Sequence, residues 1–308
     1  MIGKLLLALL ALFLVMVFLA VLAVAFGVAK PPKLVAAKHS WGQVNRESTQ
    51  VVTLVQMENP NVFDINTSRI SFQADIYLND VLMGRGSLAE VHIPSGASTS
   101  RVETHMDNNL LPRWWASHLE NQEFTTVRIQ ARGILHLVRN FSFSPPDLSR
   151  TVETDLLGKA NSTDPQVLSQ GPFSLLIKSR RLQWGQVKED TTEVLGSLVV
   201  RNTGATTITV ARTGVLARMN TVVMAQTDST EAIPLPPGKD VTVPFRAVMD
   251  NSRLLEWWPS HVNAAERTTF SLRVEATVEG TGADGTPFSL SVPLLEHQDL
   301  LVTNLLGG

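Results

Sequence analysis

From Ile70 to Leu78 the chain alternates: Ile70, Phe72, Ala74, Ile76 and Leu78 fall on one side, and Ser71, Gln73, Asp75 and Tyr77 on the other. A period of two puts one row in a core and the other in water, the pattern of a half-buried antiparallel strand. Val127, Ile129 and Ala131 alternate with Arg128, Gln130 and Arg132 in the same way. Asn79-Asp80, Gly84, Gly86, Pro94-Ser-Gly96 and Pro145-Pro146 lie between such runs and supply the positive or fixed φ that tight turns need. Short strands at this spacing predict a sandwich or a barrel. One stretch departs from the pattern. Leu110, Leu111, Trp114, Trp115, His118 and Leu119 recur at the three-to-four spacing of one helix face, with Asp107 or Asn108 placed to cap it and Pro112 tolerable near its start. A single helix against a sheet follows.

The whole arrangement then occurs again. Asp107-Asn-Asn-Leu-Leu-Pro-Arg-Trp-Trp-Ala-Ser-His118 returns as Asp250-Asn-Ser-Arg-Leu-Leu-Glu-Trp-Trp-Pro-Ser-His261, an offset of 143 residues. The same offset carries Trp41-Gly-Gln-Val44 to Trp184-Gly-Gln-Val187, Asn59 to Asn202 and Thr125-Thr126 to Thr268-Thr269. A repeat of that length is a domain and not a solenoid period. Superposing the copies tests the burial assignments, because core positions should stay apolar. Val51, Val55 and Met57 become Val194, Leu198 and Val200; Phe72, Ala74 and Ile76 become Val215, Ala217 and Met219; Val127 and Ile129 become Phe270 and Leu272. The presumed outward residues Glu58, Asp75 and Arg128 become Arg201, Arg218 and Ser271. Pro259 in place of Ala116 should kink or shorten the second helix.

Leu5 to Ala29 is an unbroken apolar or small run of 25 residues. At 1.5 Å per residue it reaches roughly 38 Å, enough to cross about 30 Å of hydrocarbon with tilt. Pro31-Pro32 should end the helix. A cleaved signal peptide is the rival reading, with Ala23-Val-Ala25 or Gly27-Val-Ala29 as small-residue cleavage sites, but its apolar region is normally shorter. An uncleaved single-pass anchor is the expectation, with the tandem domains outside the cytosol. Lys30, Lys33, Lys38 and Arg46 after the span bias the orientation the other way. The sequons at Asn66, Asn140 and Asn161 are about as many as chance would give. The resulting division is an anchor over 1–33, a first domain over 34–157, a polar linker over 158–171 and a second domain over 172–308.

A net charge of −2 with 18% charged residues gives nothing for electrostatic capture of nucleic acid, so none is expected as a partner. The absence of cysteine removes disulfides, thiolate metal sites and thiol nucleophiles together. Gly84-Arg-Gly86-Ser-Leu-Ala89 fits a loose dinucleotide-loop pattern but does not open a helix, and reads as a β-turn. Ser117-His118 and Ser260-His261 repeat, yet neighbours on a helix point about 100° apart and no acid recurs to orient the imidazole; a partly buried structural histidine is the preferred reading. The seven histidines show no metal-ligand spacing. No catalytic residue, metal or cofactor is expected. Trp114, Trp115, Trp257 and Trp258 are the candidate ligand or lipid contacts: an apolar wall for lipid or a partner is the functional reading, one ring of each pair plugging the helix into the sheet is the preferred one, and the role of the outer ring is left open between them.

At Val55-Gln-Met-Glu-Asn59-Pro60-Asn-Val-Phe63, Ile70–Asn79, Gly84-Arg-Gly86 and Ile93-Pro-Ser-Gly96 the chain resembles the late-embryogenesis-abundant type 2 domain, also called the water-stress and hypersensitive-response (WHy) domain. Leu235-Pro-Pro-Gly238 fits in the second copy, whereas Asn202 lacks the following proline. The resemblance implies a mainly β chain of two tandem immunoglobulin-like or fibronectin-like antiparallel β-sandwiches, each with one α-helix, behind an N-terminal transmembrane helix. It further implies a non-enzymatic role in desiccation and water-stress tolerance, as a binding or protective module. Lipid binding in an apolar groove and a surface structural or adhesive role are the alternatives.

Overall fold

The computed structural model describes residues 33–67, 70–88, 91–136, 140–143, 148–282 and 284–305. The expected span Leu5 to Ala29 lies outside them; among the described residues no helix is long and apolar enough to cross a membrane. The chain divides into two compact units, residues 1–153 with 303–308, and residues 154–302. Among the described residues both are built from antiparallel strands with one short α-helix each.

In the first unit β1 (Lys33–Val44) pairs β2 (Ser48–Asn59), and β2 pairs β7 (Gly96–Asp107). Beyond β7 come β5 (Val81–Leu88), β4 (Ile70–Leu78), β8 (Phe124–His136) and β10 (Leu148–Glu153), with β9 (Asn140–Phe143) also on β8. β3 (Ile65–Thr67) and β6 (Val91–Ile93) form a separate small ladder. Of the β4 side chains that are described, Asp75, Ile76 and Tyr77 are all half-buried and Leu78 is buried at the end of the strand.

The second unit repeats this order in two sheets. β12 (Phe173–Val187), β13 (Thr191–Asn202) and β17 (Asp240–Asp250) take the places of β1, β2 and β7. β15 (Val222–Ser229), β14 (Ile208–Met219), β18 (Arg267–Thr281) and β19 (Pro287–Val302) take those of β5, β4, β8 and β10, with β16 (Ile233–Leu235) on β14. Each sheet buries one row: Val194, Leu198 and Val200 on β13, Val243, Phe245, Ala247 and Met249 on β17, Val215, Ala217 and Met219 on β14, Phe270, Leu272 and Val274 on β18.

The single large sheet of the first unit coincides with a glycine at the crossing of β5 and β7. β5 reaches β7 through Gly84 opposite Met106 and Arg85 opposite His105. A Cβ on Gly84 would stand 2.7 Å from the His105 carbonyl oxygen and 3.1 Å from the Met106 Cα, so only glycine lets the backbones pair. Counting from the turns at Asn79 and Asn220, the corresponding residue is the buried Ala225, and β15 does not pair β17.

The stretch 158–171 read as a linker is hydrogen-bonded into the second unit. Gly158–Ala160 forms a 3-10 turn with Ala160 buried, the Asn161 side chain accepts from the Leu182 N–H at 2.5 Å, and β11 (Gln166–Gln170) pairs β12. Its strand is held by backbone bonds on one edge with almost every side chain in water, so no apolar periodicity marks it. Pro259 does not shorten the second helix: Leu111–Glu120 and Leu254–Asn263 both have ten residues.

Candidate functional site

The segment that carries the candidate residues starts the same way in both units. Asp107 accepts from the Asn109 N–H at 3.0 Å and Asp250 from the Ser252 N–H at 2.9 Å, each capping a 3-10 turn that runs into the helix. The next residue is a buried asparagine. Asn108 donates to the Asn45 carbonyl, and Asn251 donates to the carbonyls of Lys188 and Glu189, tying the helix start to the hairpin before it. After the helix two successive non-glycine residues take positive φ, Gln122 and Glu123 in the first unit and Ala265 and Glu266 in the second. Such pairs are uncommon enough that their recurrence marks a specified turn.

Between these ends lies a polar knot. The Trp114 indole N–H donates to the Thr125 hydroxyl at 3.0 Å, and His118 Nδ1 lies 2.8 Å from the same oxygen. In the second unit Trp257 donates to Thr268 at 2.8 Å and His261 Nδ1 lies 2.9 Å from it. A threonine that accepts from the indole still has its own proton to give, which suits an unprotonated imidazole nitrogen. Burial accordingly pushes both histidines down to about 4, opposed for His118 by a backbone bond with Phe124 and for His261 by the nearby Glu266 charge and a backbone bond with Arg267.

The serines point away from this chemistry. Ser117 donates to the Trp114 carbonyl and accepts from the Asn79 amide, while Ser260 donates to the Trp257 carbonyl and accepts from Asn220. Asn79 and Asn220, each at positive φ in a hairpin turn, also accept from the N–H groups of Thr126 and Thr269. Serine and histidine therefore serve two different networks. Neither pair is arranged as nucleophile and base.

All four tryptophans are interior: Trp114 is 6% exposed, Trp115 2%, Trp257 3% and Trp258 0%. Both rings of each pair are packed, the outer one included. Each histidine packs against both of its indoles, with ring centroids 5.8 and 5.9 Å from His118 and 5.0 and 5.6 Å from His261. Rings so covered offer no wall to an acyl chain.

Asn59, read from the sequence only as part of a motif, is a second buried hub. It donates to the carbonyls of Phe63 and Ile93 and accepts from the Asn61 N–H; Asn202 donates to Thr206 and Leu235 and accepts from the Gly204 N–H. Thr125, Thr268, Asn108, Asn251, Asn59 and Asn202 share one signal that sequence reasoning could have used: a buried polar residue that recurs at the repeat offset. Among the described residues no group of three metal-binding side chains is close enough to hold an ion.

Thr268→Val should test the knot, because it strands an indole N–H and an imidazole nitrogen in the interior. At about 1–3 kcal/mol per stranded group, the expected loss is about 2–6 kcal/mol in urea unfolding, and Thr268→Ser should recover most of it. A valine variant as stable as the parent would refute the shared hydroxyl.

These features define a mainly antiparallel β protein whose helices are locked by buried polar clusters. Residues 54–146, which include one lock and one helix, match the family model for the late-embryogenesis-abundant protein LEA_2, and that segment belongs to the late-embryogenesis-abundant type 2 family. No curated protein matches the chain. Among solved structures, a crystal structure of a protein from Archaeoglobus fulgidus is 23% identical, covering 42% of this chain and 98% of its own, with a TM-score of 0.37. A solution structure of an Arabidopsis thaliana protein is 15% identical, covering 41% and 82%, with a TM-score of 0.27. A red sea bream transglutaminase crystal structure is 10% identical over 89% of this chain and 33% of its own, with a TM-score of 0.20. Likeness at this level fixes neither fold detail nor activity.

Proposed function

We propose that the chain is a non-enzymatic, membrane-tethered module of two late-embryogenesis-abundant type 2 domains, each of antiparallel strands with one short helix, that protects neighbouring macromolecules during water loss. The observation that carries this reading is the recurrence of one buried lock. The Trp–Thr–His knot and the asparagine hub stand in the matched segment 54–146 and again in residues 202–268 with the same partners. Polar side chains held this way rigidify a fold. The tether is the 25-residue apolar run that ends just before β1. We place the domains outside the cytosol.

Lipid handling through a tryptophan-lined groove loses its lining to the burial of all four rings. Protection is tested by drying lactate dehydrogenase with the full chain in phosphatidylcholine vesicles and measuring activity after rehydration. Retention should exceed that given by an equal mass of serum albumin in the same vesicles. Retention no better than albumin would remove the protective role.

A further inference from the structure

The register of the first unit fixes which of its ends faces the chain's apolar leader. Lys33 opens β1 opposite Glu58 on β2, and Asn59 on β2 stands opposite Gly96 on β7. The Pro60–Asp64 loop therefore lies at the end where the chain enters. At the other end of β2, Ser48 pairs Asp107, the cap of the first helix. Twelve residues of strand at about 3.3 Å each put the helix some 36 Å or more from the entry point. Only three residues, Lys30, Pro31 and Pro32, lie between Ala29 and Lys33, and the four steps of chain reach at most about 14 Å.

That entry end carries apolar side chains in the open. Val62 is 96% exposed and Phe63 48%, and Val35, at the bulge between Leu34 and Ala36 of β1, is 63% exposed. The tip is braced from beneath. Asn59 donates to the Phe63 carbonyl at 2.9 Å, Ser95 Oγ donates to the Asn61 carbonyl at 2.6 Å, and the Ser95 N–H donates to Asp64 at 2.8 Å. Its side chains are thus held outward on a pinned backbone.

The second unit supplies the comparison within one chain. Asn202 holds the equivalent loop through the Thr206 carbonyl and the Gly204 N–H, so the backbone lock is retained. Its tip reads Thr203-Gly-Ala-Thr206, with Ala205 in the place of Val62 and Thr206 in the place of Phe63. The apolar tip is not needed to build the loop. It is present only in the unit that follows the leader.

We propose that Val62 and Phe63, with Val35 beside them, form a wedge that enters the bilayer crossed by Leu5 to Ala29 and holds the first unit upright on it. The inference rests on the anchor reading and names the lipid acyl boundary as the occupant. Exposed apolar residues scattered singly would need no explanation. Here three share the end that a short tether draws to the membrane, on a loop whose twin without a tether is polar.

The chain's lack of cysteine makes the test direct. A nitroxide placed on Val62→Cys in the full chain, reconstituted in phosphatidylcholine vesicles, should be accessible to oxygen and shielded from a nickel chelate. The expected depth is roughly 5–10 Å below the headgroup boundary, as for other interfacial apolar groups. The same label on Glu120→Cys, exposed at the end of the first helix, should report water. Adding Phe63→Thr, the residue of the second unit, should shift position 62 toward the nickel chelate. Alkaline carbonate extraction separates the two ideas. Retention in the vesicles with position 62 as nickel-accessible as position 120 overturns the wedge and leaves the anchor standing; release from the vesicles overturns both.

Discussion

Trp258→Ala is expected to lower the stability of the second unit by about 3–5 kcal/mol, the range for removing a large aromatic from a core that cannot collapse onto the space. Trp258 has no exposed surface and meets Trp257 edge-on at 5.8 Å and His261 at 5.6 Å, both of which are hydrogen-bonded to Thr268. Trp257 and His261 are each held by Thr268, so moving either ring into the cavity would break the knot. Trp115→Ala should act in the same range on the first unit, where the ring is 2% exposed. Hydrogen exchange can assign the loss to a unit, since protection in residues 254–278 should fall for Trp258→Ala while residues 111–129 keep theirs. A loss of less than about 1 kcal/mol would place the ring outside the load of the core.

The burial of both indoles also shows where periodicity stops being informative. Adjacent helical residues point about 100° apart, so a Trp-Trp pair read alone sends one ring outward. What the pattern does not contain is the long cover beyond the helix: the turn at Gln122-Glu123 brings Thr125 back beneath Trp114 and His118. Alternation served well for strands with one dry face, such as β14 and β18, whose inward rows are Val215, Ala217, Met219 and Phe270, Leu272, Val274. It gave nothing for β11, an edge strand with almost all its side chains in water.

The duplication held more than the alternation did. Apolar positions that survive the offset identify cores, but polar positions that survive it, Asn59 with Asn202 and Thr125 with Thr268, identify the buried hydrogen bonds that specify the loops and the helix. Places where the copies differ are equally informative. Ala225 in the position of Gly84 coincides with the separation of one sheet into two, and Ala205-Thr206 in the position of Val62-Phe63 removes an apolar tip while keeping its lock. A side chain that changes over an unchanged backbone bond is answering to its surroundings and not to the fold.

Acidification should destabilise both units well above the pH at which their carboxylates titrate. His118 and His261 are held neutral by burial, with pKa values pushed down to about 4 from an ordinary 6.5. Between those limits the unfolded chain binds the proton and the folded chain does not, so unfolding stability falls as pH falls and is fully present only above the unfolded value. Each histidine can remove up to roughly 3 kcal/mol by pH 4 at 1.36 kcal/mol per pKa unit. The paired carboxylates act lower. Hydrogen bonds from Arg201 and Lys178 hold Asp240 down at about 2, so its contribution is present above its ordinary 3.8 and disappears only as pH falls toward 2. Glu103, held down by Arg101, and Glu193, held down by Arg246, also sit below the ordinary carboxylate range of about 4 and lose their contribution below it. Urea midpoints of the full chain measured from pH 7 to 4.5 should therefore decline with a slope approaching one proton per unit. His261→Asn, which keeps an acceptor near Thr268 but cannot titrate, should flatten that slope for the second unit while lowering its stability at pH 7. Midpoints that stay level down to pH 4.5 would mean that the imidazoles are protonated in the fold, and the hydroxyl of each threonine would then have to accept from both its ring partners.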